Sequence, residues 1–183
     1  MNKIRLILLI SILCILLISI TACGWKDEEI TSNIEVSSQD EIFDIRLYVD
    51  KEKYSVDEAI NCYATLEYIG DKDSITVYSS SPLVVFALED DKYFHGDYAV
   101  NDELITTTFQ KGQIVRYDYM KSGGWSADDE NATFYEKFYA EKQLILPANS
   151  YKISVIVDCS MDINNMLGSK YKHTVSAPFT VGK

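Results

Sequence analysis

The sequence predicts an all-β fold, an antiparallel β-sandwich with one short helix. Apolar and polar residues alternate in short runs, as in Phe43, Ile45, Leu47 and Val49. Turn residues interrupt these runs at regular intervals, and only one segment has apolar residues at helical spacing. About eight short strands in this arrangement are typical of two stacked antiparallel sheets.

The alternating runs predict the strands. These lie at 43–50, 59–68, 74–80, 83–88, 104–109, 113–119, 151–159 and 172–181. The run at 83–88 is apolar throughout, which favours a strand buried on both faces. Pro82 separates it from the preceding strand, because proline lacks the backbone N–H that a sheet requires. The turn Lys111-Gly112 predicts a hairpin between 104–109 and 113–119.

The predicted helix lies in the segment 126–139. Phe134 and Phe138 are four residues apart, as are Tyr135 and Tyr139, and this spacing favours a short amphipathic helix. Ser126 is the expected N-cap, because a hydroxyl residue followed by acidic residues favours the first helical turn.

The N-terminus has the layout of an export signal. Lys3 and Arg5 precede an apolar run at 6–20, and Ile20-Thr21-Ala22-Cys23 resembles the lipobox of bacterial lipoproteins. The resemblance implies a signal peptide at 1–22, lipidation of Cys23, and a location on the extracytoplasmic face of the cell membrane. An uncleaved signal anchor is the alternative, although the apolar run is short for a helix that spans a bilayer.

The rest of the chain divides into a tether and one domain. Residues 23–40 are polar and acidic, and we expect a flexible tether. Residues 41–183 suffice for one domain with a core. Loss of Lys3 and Arg5 with the signal would change the net charge from −11 to −13. This acidity argues against nucleic acid as a partner.

Two cysteines belong to the predicted domain. Cys62 and Cys159 both lie on the apolar side of their strands and are expected to point into the core. In an exported protein they invite a disulfide, and closing a loop of nearly 100 residues would contribute about 4–5 kcal/mol on the chain-entropy model. Two buried free thiols are the alternative, and the sequence leaves both open.

A family resemblance is carried by residues 54–60, 73–77, 83–90 and 146–153. They resemble bacterial immunoglobulin-like sandwich domains, in particular the domain typified by the intracellular proteinase inhibitor of Bacillus. Its Leu-Pro-x-Gly-x-Tyr corner is similar to residues 146–151, with Asn149 in place of glycine; asparagine tolerates left-handed backbone. The resemblance implies an immunoglobulin-like topology and a tyrosine corner in which the Tyr151 hydroxyl bonds to upstream backbone. Residues 125–131 also resemble a stretch of lipoproteins from low-GC Gram-positive bacteria.

The sequence favours a protein that is not an enzyme and has no cofactor. It contains neither Gly-x-Ser-x-Gly nor His-Glu-x-x-His. A Cys–His nucleophile pair would need an exposed thiol beside His95 or His173, whereas both domain cysteines are expected to be buried.

Two metal sites are weaker hypotheses. Cys159, Met161, Met166 and His173 follow one another closely and offer soft ligands for Cu(I), although such residues more often serve packing. Acidic turns offer oxygen ligands for Ca²⁺, but none has the spacing of an EF-hand loop, and solvated turns are the commoner explanation.

Aromatic residues concentrate in the middle of the domain and predict a contact surface. Tyr93, Phe94 and Trp125 are the candidate partner-binding residues, although aromatics are also ordinary strand formers. The predicted function is a lipid-anchored, non-enzymatic module that binds a protein or envelope partner. The family resemblance implies a proteinase inhibitor as an alternative, with loop 120–131 as its inhibitory loop, and a metal-binding lipoprotein is the third hypothesis.

Overall fold

A computed structural model describes residues 33–182 of the chain. The predicted signal peptide, Cys23 and the first part of the predicted tether lie outside the described residues. The strands are β1 Ile34–Gln39, β2 Phe43–Val49, β3 Lys53–Ser55, β4 Cys62–Tyr68, β5 Ser74–Ser81, β6 Val84–Glu89, β7 Asn101–Gln110, β8 Ile114–Asp118, β9 Asn149–Ser160 and β10 Lys170–Gly182. The helices are α1, Ala132–Ala140, and a short 3-10 helix, Ile163–Asn165. No helix within 33–182 combines the length and apolarity needed to cross a membrane.

The strands form two sheets, which confirms the predicted all-β character. One sheet has four strands in the order β1-β2-β4-β8. The other has six, in the order β3-β10-β9-β5-β7, with β6 also paired to β9. The pairing is antiparallel except between β3 and β10.

The apolar faces of the two sheets share one core. Phe43 of β2 is fully buried, and its ring centroid lies 5.4 Å from that of Phe109 on β7 and 5.5 Å from that of Tyr171 on β10. These edge-to-face contacts join the two sheets. The contacts follow from the alternation in the sequence, since every second side chain of a strand points to the same face.

Strand β6 is buried on both faces, as its continuous apolar run predicts. Val84 and Phe86 belong to the main core, whereas Val85 and Ala87 form a small outer cluster with Ile156. Tyr98 packs over this outer cluster. The loop that follows β6 therefore folds back over the sheet.

Part of the predicted tether is a strand. β1 pairs with β2 along its whole length, from Ile34 opposite Val49 to Gln39 opposite Asp44. Ile34 and Val36 pack against the core. The prediction placed the start of the domain at residue 41, and in the structure the folded part already includes residue 34.

The predicted hairpin across Lys111-Gly112 is wrong. β7 pairs with β5 in the six-stranded sheet, whereas β8 pairs with β4 in the other. Gly112 has a φ of +77°, and its N–H donates to Tyr68 O at 3.0 Å. The turn therefore carries the chain from one sheet to the other.

The helix begins later than expected. Asn131, not Ser126, precedes the first turn of α1, and Ser126 instead closes a turn in which its N–H donates to Asp129 Oδ2 at 2.7 Å. The Tyr151 hydroxyl donates to Pro147 O at 2.9 Å, which confirms the bond expected at this corner.

Candidate binding groove

A groove of about 530 Å³ lies between three segments. They are the loop that joins β6 to β7, the segment 119–124 after β8, and α1 with the loop before it. The aromatic residues that line it are Phe86, Tyr93, Phe94, Tyr98, Tyr119, Tyr135, Phe138 and Tyr139. Its charged lining residues are Lys92, Asp97, Asp129 and Glu130. We call this surface the aromatic groove.

Asp90 organises the first wall of the groove. Its Oδ1 accepts hydrogen bonds from the N–H groups of Tyr93 at 2.7 Å and Phe94 at 2.6 Å. The Asn149 amide donates to Asp90 Oδ2 at 2.9 Å and to Asp91 Oδ1 at 2.7 Å. Asn149 does not have the positive φ expected for the glycine position of the corner. Its side chain instead fixes the turn that presents Tyr93 and Phe94.

Ser122 and Gly123 hold the second wall against the first and against α1. Ser122 Oγ donates to Ala99 O at 2.9 Å and accepts from Ala99 N at 2.8 Å. The Tyr139 hydroxyl donates to Ser122 O at 3.2 Å. Gly123 has a φ of +99°, and a Cβ there would lie 2.9 Å from the Tyr139 hydroxyl oxygen. Glycine suits this position because the backbone conformation would strain a residue with a Cβ, and that Cβ would push the Tyr139 hydroxyl away.

Aromatic packing joins α1 to the loop. Phe138 is buried, and its ring centroid lies 5.0 Å from that of Phe94. Nearer to the surface, Phe134 stacks on Tyr93 with 3.9 Å between centroids. The Tyr135 hydroxyl donates to Tyr93 O at 2.6 Å. Hydrogen bonds and ring contacts thus fix both walls before any partner arrives.

Lys121 holds the C-terminal end of α1. Its Nζ donates to Phe138 O at 2.5 Å and to Glu141 O. A cation is favoured at this end of a helix because the last carbonyl groups have no partners within the helix. Burial lowers the pKa of Lys121, which reflects the cost of bringing the ammonium under the helix.

The groove carries more negative than positive charge. Three of its lining residues are acidic, namely Asp97, Asp129 and Glu130, and one, Lys92, is basic. Burial raises the pKa of Tyr135, and the carboxylates of Asp129, Asp90 and Glu130 raise it further. The negative potential of these carboxylates therefore extends to the Tyr135 side chain.

The structure brings together two of the three predicted partner-binding residues. Tyr93 and Phe94 line the groove, whereas Trp125, which is 40% exposed, lies next to the lining residue Gly124 and outside the lining itself. Asp129 and Glu130 also line the groove, and the sequence pattern does not connect them with Tyr93 and Phe94. They lie on a loop far from Tyr93 in the chain, so local pattern could not unite them.

The two domain cysteines are buried and free. Cys62 lies in the four-stranded sheet and Cys159 in the six-stranded one. The structure thus has the free-thiol arrangement that the sequence left open beside a disulfide. Burial raises the pKa of each thiol to about 12, so both stay protonated at neutral pH.

The soft ligands proposed for Cu(I) have other contacts. Cys159 is buried, Met161 packs against the core, and Met166 lines an outer hollow beside the 3-10 helix. His173 Nδ1 donates to Asp40 Oδ2 at 3.2 Å, and its Nε2 lies 2.7 Å from Ser38 Oγ. Within 33–182, no three His, Cys, Asp or Glu residues are grouped as a metal site would require.

Ser38, His173 and Asp40 are bonded in the order found in serine hydrolases. Asp40 also accepts from the Tyr171 hydroxyl at 2.8 Å. Neither Ser38 nor His173 lines the aromatic groove or the outer hollow. The cluster links β1 of one sheet to β10 of the other, and therefore ties an edge strand across the sandwich.

Asp40 is held as a carboxylate by this cluster. Burial by itself would raise its pKa, but hydrogen bonds from the N–H groups of Phe43 and Ile42, from Tyr171 and the charge of His173 outweigh burial. The pKa of Asp40 therefore lies below its ordinary value.

A second candidate surface surrounds the outer hollow, which has a volume of about 300 Å³. Leu167 is 93% exposed at its edge, and Val100 and Met166 are also exposed large apolar residues. We call this surface the Leu167 patch. It gives a reference against which a role of the aromatic groove can be tested.

Comparison of the chain with known proteins found no matching family model, no matching curated protein and no matching solved structure.

Proposed function

We propose that the chain is a lipid-anchored, non-enzymatic module that binds a protein partner through the aromatic groove, on the extracytoplasmic face of the cell membrane. The groove is the observation that carries the proposal. Its rings offer rigid contact area, and rings of this kind dominate the energetics of many protein interfaces. Because hydrogen bonds already fix both walls, binding would cost little conformational entropy.

The N-terminal lipobox supports the anchor. In this proposal the signal peptide 1–22 is removed and Cys23 carries the lipid. The folded part begins near Ile34, so the chain between Cys23 and β1 spans at most about 40 Å when fully extended. The module would therefore meet partners close to the membrane surface. The Tyr151 corner supports an immunoglobulin-like topology for the domain.

Site-specific photo-cross-linking in intact cells tests the groove. A photoreactive amino acid replaces His95, an exposed residue of the groove, in the full chain. Two matched chains carry it at Leu167 and at Lys72, which lies in an exposed turn. We expect a discrete adduct from the His95 position, and we expect Tyr93→Ala to reduce its yield. An adduct formed only from the Leu167 position, or none from any position, would refute the groove as the partner site.

An ester-hydrolysis assay tests the non-enzymatic part of the proposal, because Ser38, His173 and Asp40 are hydrogen-bonded in the order of a catalytic triad. We expect the purified chain to hydrolyse p-nitrophenyl acetate no faster than the Ser38→Ala variant. Hydrolysis that depends on Ser38 would overturn the proposal.

Proteinase inhibition is the second candidate function. The exposed segment 123–130 supports it, because Ser126 N donates to Asp129 Oδ2 at 2.7 Å and stiffens the loop. A stiff exposed loop is what insertion into a protease cleft requires. If trypsin, chymotrypsin, elastase and subtilisin all keep full activity with an excess of the purified chain, this candidate is eliminated.

A further inference from the structure

We propose that the aromatic groove recognises a basic segment of its partner, and that lysine or arginine side chains of this segment lie on the tyrosine rings. This inference rests on the proposed function, since it names the chemistry of the partner that the groove would bind.

The rings of the groove already hold ammonium groups of the chain itself. Lys92 Nζ lies 4.6 Å from the centroid of the Tyr93 ring. Lys172 Nζ lies 5.5 Å from the centroid of Tyr98 and donates to its hydroxyl at 3.2 Å. Both distances are within the roughly 6 Å over which a ring face attracts a cation. Lys92, which lines the groove, thus occupies a position that a ligand cation would take, and Lys172, which lies outside the lining, makes the same kind of contact with Tyr98.

The carboxylates of the groove complement such a ligand. Asp97, Asp129 and Glu130 all line the groove and are exposed. Within the described part of the chain, none of the three forms a salt bridge. An apolar ligand would desolvate these carboxylates without compensation, and an anion would be repelled. A cation gains from both the carboxylates and the rings.

The shape of the surface favours a segment of chain over a small amine. The groove continues past Tyr93 into a second hollow of about 560 Å³ beside Phe134. Asp129, Glu130 and Asn131 line both hollows and connect them. Asp129 and Glu130 therefore lie between the two hollows, and the second hollow adds the Phe134 ring and the ammonium of Lys137. A surface of this length suits several side chains of one peptide.

Lys92 competes with the ligand, because a ligand cation must displace its ammonium group from the Tyr93 ring. Removing the Lys92 charge while keeping an apolar side chain, as in Lys92→Met, should therefore strengthen binding of a basic peptide. A groove that served only to pack an apolar partner would not respond in this way.

The test measures binding by isothermal titration to the full lipidated chain in a non-ionic detergent. The probe is the capped peptide acetyl-Gly-Lys-Gly-Arg-Gly-Lys-Gly-amide. Matched peptides carry glutamate or norleucine at its three basic positions, and spermine and choline represent small organic cations. We expect the basic peptide to bind best and its affinity to fall as NaCl is raised.

Charge variants locate the binding site. The double variant Asp129→Asn, Glu130→Gln should weaken the basic peptide by about tenfold at low salt, and Lys92→Met should strengthen it by about two- to fivefold. The control is Asp71→Asn, Asp73→Asn, which makes the same change in net charge in an exposed turn outside the groove. This control should change the affinity by less than twofold.

Several results would overturn the inference. The first is that the norleucine peptide binds as tightly as the basic peptide. The second is that the Asp71→Asn, Asp73→Asn control weakens the basic peptide as much as the Asp129→Asn, Glu130→Gln variant does. The third is that Lys92→Met does not increase the affinity for the basic peptide. If spermine or choline binds as tightly as the peptide, the ligand of the groove is a small organic cation and not a basic segment of a protein. If the His95 adduct forms in cells while the basic peptide does not bind, the charge class is wrong and the proposed function stands. If the peptide binds and no adduct forms, the proposed function fails by itself.

Discussion

Tyr135→Phe removes one hydroxyl and should loosen α1 from the first wall of the groove. The hydroxyl donates to Tyr93 O at 2.6 Å and is the direct bond between α1 and the loop after β6. The ring itself remains, so its edge-to-face contact with Phe134, at 5.5 Å between centroids, is retained. Any effect therefore reports on the hydrogen bond.

The magnitude follows from the burial of the pair. A neutral hydrogen bond contributes about 0.5–1.5 kcal/mol net, and a half-buried one falls in the lower part of this range because water replaces the lost partner. We expect the free energy of unfolding to fall by about 0.5–1 kcal/mol. For a domain of this size the melting temperature should fall by about 1–4 °C.

Urea unfolding gives the free energy, and hydrogen exchange gives the local effect. The amides of Tyr93 and Phe94 donate to Asp90, and they should exchange faster in Tyr135→Phe if the loop opens. The matched control is Tyr63→Phe. Tyr63 stacks on Tyr48 at 4.5 Å between centroids, and its hydroxyl makes no hydrogen bond to residues 33–182. If Tyr135→Phe changes the free energy of unfolding and the exchange rates no more than Tyr63→Phe does, the Tyr135 hydroxyl does not hold α1 to the first wall.

Three further predictions address other parts of the account. Gly123→Ala should lower the melting temperature, because its φ of +99° strains a residue with a Cβ and because the Tyr139 hydroxyl, 2.9 Å from that Cβ, must move away. Gly124→Ala, whose Cβ would meet no atom within 4 Å, is the control in the same calorimetric scan. Because the pKa of Asp40 is lowered in the folded state, ionised Asp40 stabilises the fold above about pH 4, and this stabilisation is lost as the pH falls through the pKa of the folded state. The free energies of unfolding of wild type and Asp40→Asn should therefore differ at pH 6 and converge in acid. Cys23→Ser should leave the protein as an unprocessed precursor without lipid, and processing to the mature mass in this variant would contradict the predicted lipobox.

The sequence predicts the strands well where a strand has one buried face. The alternation in β2, β4 and β9 marks them directly, and the apolar run of β6 follows from burial on both faces. The sequence does not predict β1, because β1 is an edge strand whose apolar residues end at Val36. Ser37 and Ser38 continue its pairing with β2. A turn signal such as Lys111-Gly112 marks a reversal of the chain but cannot say which sheet receives the next strand.

The groove is only partly predictable for a similar reason. Tyr93 and Phe94 stand out because large rings cluster in the sequence around them. Asp129 and Glu130 belong to the same surface only because α1 packs on Phe94, which is a contact between distant parts of the chain. Periodicity carries no information about such a contact.

Hydroxyl-radical footprinting tests the central claim most directly. The full chain is labelled on intact cells and again after purification in detergent, and side-chain oxidation is read by mass spectrometry. The account predicts that Tyr93 and Tyr135 are less oxidised on cells than in the purified protein, whereas Leu167 is oxidised equally in both. Equal oxidation of both tyrosines, or protection of Leu167 alone, would contradict it.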